Sequence, residues 1–206
     1  MRKHFFLISF LCFATLAFSQ QKLPNNLIGK NESEITLFYF LDNNSSMVNG
    51  GRDALGGQFI YRWALKRYTK AGAGFLFSAD FSRENGLKSD VFPYGAIFAD
   101  ITQFIGSRQK WSVTGEIGQG IYNREYNFDD ANAKSTHKFT GGFYCSVSTN
   151  YRAIISKKTL LNVSFFWSLR NFRKTTIEEY YLPPTSQRIE EVEEHSGLGI
   201  KLGIVI

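Results

Sequence analysis

Cysteine is nearly absent from this sequence, with only Cys12 and Cys145 in 206 residues. Cys12 lies in an apolar run at the start that reads as a removable leader, so one thiol remains and no intrachain disulfide can form. A small exported domain without disulfides must be held by burial and hydrogen bonding. Histidine is equally scarce, and beyond the leader only His137 and His195 occur. Two imidazoles in separate links and one thiol make no ligand set, so neither a metal nor another cofactor is expected. A strong charge bias is missing too. Removing residues 1–19 takes away two of the 24 Lys and Arg and none of the 18 Asp and Glu, leaving 22 − 18 = +4. That mild excess, with no clustered patch, does not indicate a nucleic-acid partner. After the leader no segment is long and apolar enough for a transmembrane helix, which needs about 20 apolar residues.

The leader itself is "MRKHFFLISFLCFATLAFSQ". Arg2 and Lys3 precede an apolar run from Phe5 to Phe18, and Ala17-Phe18-Ser19 presents small residues at the two positions signal peptidase reads. Cleavage is expected after Ser19. Too little of the run precedes Cys12 for a lipoprotein signal. The remaining length suits one domain, with residues 20–33 as an N-terminal leader and 34–206 as the folded unit.

What the chain does have is alternation. Phe59, Tyr61, Trp63 and Leu65 alternate with Arg62 and Lys66. Phe75, Phe77 and Phe81 alternate with Gly72, Gly74, Ser78 and Asp80. Phe139, Phe143, Cys145 and Val147 alternate with Thr140, Ser146 and Ser148. Leu161, Phe165 and Trp167 alternate with Asn162, Ser164 and Arg170. The chain ends on Leu198, Ile200, Leu202, Ile204 and Ile206, spaced by Gly197, Gly199, Lys201 and Gly203. "EITLFYFL" is apolar on both faces, and Pro93 sits where a strand tolerates it, near the start. Eight strands are expected, at 34–42, 57–68, 70–82, 92–104, 111–123, 138–152, 159–173 and 193–206. Most reach the roughly 9–11 residues a tilted strand needs to cross a bilayer. Long polar links at 42–56, 124–137 and 174–192 take turns with short ones.

An even number of antiparallel strands can close without edges. A soluble lipocalin-like carrier would also have eight alternating strands, with the apolar face inward. The apolar face here holds too much Phe, Trp and Tyr for the interior of so small a barrel. The expected fold is therefore all-β, an eight-stranded antiparallel up-and-down transmembrane β-barrel with an apolar exterior and a filled polar interior. Phe59, Trp63, Phe75, Phe77, Phe143, Phe165, Trp167, Ile200 and Ile204 are expected to face lipid. Tyr68, Trp111, Tyr122 and Tyr151 are expected at headgroup level. Arg62, Lys66, Asp80, Asp100, Glu116, Arg170 and Lys201 are expected in the lumen. Arg62, Asp100, Glu116 and Lys201 should share a middle-to-inner depth, with Asp80 and Arg170 nearer the outer surface. An ion-pair plug is the preferred reading of these charges, and a narrow conduit the other.

A signal peptide, amphipathic strands, unequal links and a terminal apolar strand together resemble the small outer-membrane β-barrel proteins of Gram-negative envelopes, of the OmpA and OmpX type. The resemblance covers residues 34–206 and is one of pattern. It implies an outer-membrane location, a periplasmic leader, and contact with outer-membrane lipids and lipopolysaccharide. It also implies recognition of the last strand by the barrel-assembly machinery, although Ile206 stands where that signal usually has an aromatic residue. No periplasmic domain is expected, and the partner of the outer links stays open. A non-enzymatic envelope or surface-contact role is the preferred reading, with a small pore or a lipid A-modifying enzyme as alternatives. For the enzyme, His137 and His195 lie near the outer rim, with Ser135, Ser196, Asp129 and Asp130 close in sequence. Their spacing requires no hydrogen-bonded pair. The acidic stretch "EEVEEH" reads as a solvated link face, or as a site for divalent cations.

Overall fold

The computed structural model describes residues 29–43, 52–82, 91–106, 109–121, 123–129, 133–156, 158–181 and 184–206. The expected signal segment with its cleavage point at Ser19, the leader up to residue 28, residues 44–51 of the first long link, Tyr122 and Asp130 lie outside the described residues. Among the described residues nine strands follow in chain order: β1 Glu32–Asp42, β2 Arg52–Lys66, β3 Thr69–Ser82, β4 Val91–Ile105, β5 Trp111–Gly120, β6 Asn123–Asp129, β7 Ala133–Ile154, β8 Leu160–Tyr181 and β9 Pro184–Val205.

Eight of them close into an antiparallel ring in the order β1-β2-β3-β4-β5-β7-β8-β9 and back to β1. The seam answers why the last strand alternates as it does. β9 pairs with β1 from Glu34↔Val205 to Asp42↔Gly197, and Ser33 and Ile206 exchange two further backbone bonds at 3.0 and 2.9 Å. Closure leaves the ring no open edge, which is what a strand-built span in hydrocarbon requires.

Side chains sort by the pleat. Along β1, Glu32, Glu34, Thr36, Phe38, Phe40 and Asp42 are buried, while Ile35, Leu37, Tyr39 and Leu41 point outward. The polarity is inverted relative to a soluble protein. Leu37 is 69 % exposed and Phe165 62 %, whereas Arg170 is 1 % exposed.

Two expectations fail. Residues 124–137 and 174–192, expected as loops, are mostly strand. β6 runs on from β5 after a break at residue 121, and pairs with the outer part of β7 from Asn123↔Thr140 to Asp129↔Lys134. β8 and β9 stay paired out to Tyr181↔Pro184. β7, β8 and β9 are each 22 residues long, about twice what a crossing needs, so their outer halves continue past the ring as a sheet with β6. The alternation there is mostly of Thr, Lys and Glu, and Ile177, Ile189 and Val192 are too few to set an apolar period that would reveal it.

The second failure concerns the interior, which is not only small and polar. Phe38, Phe40, Ile60, Leu76, Tyr94, Phe98, Tyr144, Phe166 and Phe172 form one buried cluster inside the ring. Phe139 joins it because the β7–β8 register shifts between Gly141 and Tyr144, which turns Phe139 inward although Phe143 points out. Glycines on facing strands make the space. A Cβ on Gly56 would stand 2.5 Å from Phe38 Cζ, and one on Gly74 2.6 Å from Phe98 Cζ. Gly199 faces Phe166 in the same way.

Candidate functional site

The lumen is filled in layers, beginning at the end where β1 starts and β9 stops. Glu32 accepts a forked pair of bonds from Arg152, at 2.9 Å from Nη1 and 2.5 Å from Nη2, and another from Lys70 Nζ at 2.5 Å. Arg62 then joins three carboxylates. Its Nε donates to Asp100 at 2.6 Å, and its Nη1 reaches both Glu34 and, at 3.4 Å, Glu32. Asn162 Nδ2 donates to Glu34 at 2.6 Å. Glu32, Glu34 and Asp100 thus face Arg62, Lys70 and Arg152, and the layer is formally neutral. Neutrality matters, because a buried charge with no partner costs several kcal/mol, on the order of 3–5 when one member of a pair is removed.

Glu116 anchors the next layer. Lys201 Nζ donates to its two oxygens at 2.9 and 3.1 Å, Tyr144 OH at 2.6 Å and Gln58 Nε2 at 2.9 Å. The ammonium of Lys201 also lies 4.8 Å from the centre of the Phe166 ring. Glu116→Gln and Lys201→Met are each expected to lower thermal stability, and the double variant to lose less than the sum. Strictly additive melting shifts in that cycle would count against a shared network.

Arg170 forms the outer layer. Its Nη1 lies 3.2 Å from Ser78 Oγ and 3.3 Å from Asp80 Oδ1. Its guanidinium is boxed by Phe40, Tyr94 and Phe38, at 4.7, 5.0 and 5.6 Å from the ring centres. Planar, weakly hydrated arginine suits such a box better than lysine would. At the seam, His195 Nδ1 meets Asp42 Oδ2 at 2.7 Å.

Of the residues expected in the lumen, Arg62, Asp80, Asp100, Glu116, Arg170 and Lys201 are buried inside the ring. Arg62 binds Asp100, Lys201 binds Glu116 and Arg170 binds Asp80. Lys66 is a correction. It is exposed at the last pairing of the β2–β3 hairpin, after a bulge between Ala64 and Lys66 that ends the alternation. Glu32, Glu34, Lys70 and Arg152 were not anticipated. On the outer surface, Trp63, Phe75, Phe77, Phe143, Phe165, Trp167, Ile200 and Ile204 are exposed. Phe59 is half-buried, its ring centre 5.8 Å from that of Phe75. Tyr151, expected at headgroup level, is buried beside Trp111, with ring centres 4.8 Å apart.

The projecting sheet holds the other chemistry-bearing group. Ser135 Oγ lies 3.2 Å from His137 Nε2, and His137 Nδ1 lies 3.0 Å from Thr176 Oγ1. Burial, with Lys174 nearby, holds the imidazole below its ordinary value. The partner of Nδ1 is thus the Thr176 hydroxyl, while the carboxylates of Glu178 and Glu193 favour the charged ring without outweighing burial and Lys174. Ser196 follows His195 and pairs opposite Leu169, so the two side chains point to opposite faces.

No family model matches the sequence. No curated protein matches it either. Among solved structures, an outer membrane channel from Pseudomonas putida F1 shares 10 % identity, over 86 % of this chain and 95 % of that one, with a TM-score of 0.30.

Proposed function

We propose that the protein is a non-enzymatic β-barrel of the outer membrane of a Gram-negative cell, akin to the OmpA and OmpX type. Its packed barrel would carry the sheet of β6–β9 as a surface-contact or envelope element. The observation that carries this reading is the inverted polarity: large apolar side chains cover the outside of a closed sheet, while charged ones fill its centre. Water on that outer face would leave an apolar area far beyond what monomeric soluble proteins expose. A membrane removes the difficulty, and the closed ring satisfies every strand backbone within it.

The long hairpins suit a contact role because they are held rigidly. β8 and β9 pair continuously from Leu160↔Val205 inside the ring to Tyr181↔Pro184 at the tip, so the outer sheet inherits the stiffness of the barrel. Arg173, Lys138 and Arg188 are exposed on this sheet among Glu125, Glu190 and Glu194. That mixed surface suits lipopolysaccharide phosphates with bridging cations.

Fractionation tests the reading. The protein is expected to stay in the membrane fraction through a carbonate wash and to migrate faster on gels when unheated. Release by the wash, with no heat-modifiable mobility, would remove the membrane claim. One observation favours a second reading, a narrow pore. Ser168 Oγ and Asn162 Oδ1 are buried with no hydrogen-bond partner among the described residues, which leaves polar lining along β8. The ion-pair layers cross that path, so planar bilayers are expected to show no discrete conductance steps. Regular steps would favour the pore. Purified, refolded protein is likewise expected to leave lipid A unmodified, and turnover there would restore the enzyme reading.

A further inference from the structure

Outside the lumen, the charged side chains are divided between the two ends of the barrel. Lys30, Lys66, Arg67 and Lys158 are exposed where β1 begins, where β2 turns into β3 and where β7 turns into β8. Among the described residues, no exposed side-chain carboxylate lies at this end. Glu32 is there, but it is buried and bound by Arg152, Lys70 and Arg62. The exposed acids Glu125, Glu179, Glu190, Glu191 and Glu194 all lie on the projecting sheet at the other end.

These cations border the apolar outer surface directly. Trp63 and Leu65 point outward just before Lys66 and Arg67, and Ile155 does so just before the turn that carries Lys158. Trp111 is exposed at the same end, at the start of β5 on the neighbouring hairpin. The Arg67 guanidinium lies 5.4 Å from the centre of the Tyr68 ring. An aromatic and aliphatic rim followed at once by long cationic side chains is the arrangement that meets acyl chains below and phosphates above.

We infer that this basic end binds the headgroups of anionic phospholipids in the leaflet it meets. The inference rests on the membrane reading above. A phosphodiester accepts hydrogen bonds from lysine and arginine, and each basic group near an anionic surface adds to the attraction, which salt screens. Peptidoglycan also carries carboxylates, but it would leave Trp63, Leu65 and Ile155 uncovered, whereas a lipid covers the apolar rim and the cations together.

Brominated lipids test this in the full chain. Trp167→Phe leaves Trp63 and Trp111 as the only tryptophans, both at the basic end. The variant is refolded into phosphatidylcholine vesicles containing either brominated phosphatidylglycerol or brominated phosphatidylcholine at one mole fraction. The anionic lipid is expected to quench with a relative binding constant roughly threefold higher at low salt. The preference should fall towards parity at about 1 M salt, and also when Lys66→Gln and Arg67→Gln are added. Equal, salt-independent quenching by the two lipids would overturn the inference and leave the membrane reading standing. Absence of quenching by either would overturn both. Co-sedimentation of detergent-solubilised protein with purified sacculi, lost in the Lys66→Gln/Arg67→Gln variant, would assign the cations to peptidoglycan carboxylates instead.

Discussion

Replacing Arg62 with methionine is expected to lower the unfolding free energy by roughly 3–5 kcal/mol, the largest loss from removing any single lumen charge. Among the described residues Arg62 is the one cation bonded to all three carboxylates of the inner layer, Glu32, Glu34 and Asp100. Methionine has a comparable length but no charge, so it leaves those acids with Lys70 and Arg152 alone. Glu32 already receives both of those cations, and the deficit falls on Glu34 and Asp100. Adding Glu34→Gln to Arg62→Met should therefore recover much of the loss, because the amide removes one of the stranded charges. Urea titration of the refolded protein, followed by tryptophan fluorescence and by unheated gel mobility, measures both variants. A loss below about 1 kcal/mol would mean that the layer is hydrated enough to screen its ions as exposed pairs are screened.

The second large effect comes from one missing side chain. Gly199→Val is expected to abolish the compact, fast-migrating form, and Gly199→Ala to cost about 1–3 kcal/mol. A Cβ at Gly199 would collide with Cε1 and Cζ of Phe166 and with the backbone oxygen of Tyr39 across the seam. The Phe166 ring has nowhere to go. It packs edge-on against Phe38, with ring centres 6.1 Å apart, stacks on Phe40 at 6.2 Å, and lies under Lys201. The β1 backbone cannot retreat either without breaking the Phe40↔Gly199 pairing that closes the ring. A smaller partner tests the cause directly, since Gly199→Ala should be better tolerated beside Phe166→Leu than alone. If Gly199→Val refolds with wild-type yield, the interior is looser than these contacts imply.

Both predictions concern residues whose surroundings were only partly legible in the sequence. The outer surface was easy to read, because Ile200, Leu202 and Ile204 repeat every second position and a pleat converts that directly into one face. Arg62, Asp100, Glu116 and Lys201 followed from the same parity. Parity also carries Lys70 and Arg152, which fall on the inward positions of β3 and β7, but at the strand ends too few neighbours remain for the alternation to stand out. Glu34 was hidden for another reason. β1 is apolar on both faces beyond it, so its sequence does not mark the face on which Phe38 and Phe40 point inward.

The aromatic layer has no signature within any one strand. Phe98 fits the interior only because Gly74 and Gly118 face it from the strands on either side, and that pairing is invisible before the register is known. Lys66 failed at a bulge and Phe139 at a register shift, the places where a period of two stops being informative. The outer hairpins do not read as strands, because a sheet wetted on both faces has no apolar period to display.

The most direct test of the inside-out arrangement is a spin-label scan of β9, one label at a time from residue 197 to 205, in lipid vesicles. Accessibility to oxygen, which concentrates among acyl chains, is expected to peak at 198, 200, 202 and 204. It should fall at 197, 199, 201, 203 and 205, where labels enter the packed centre and lower the refolding yield. Oxygen maxima on the odd positions, or high exposure of the even ones to a water-soluble relaxant, would contradict it.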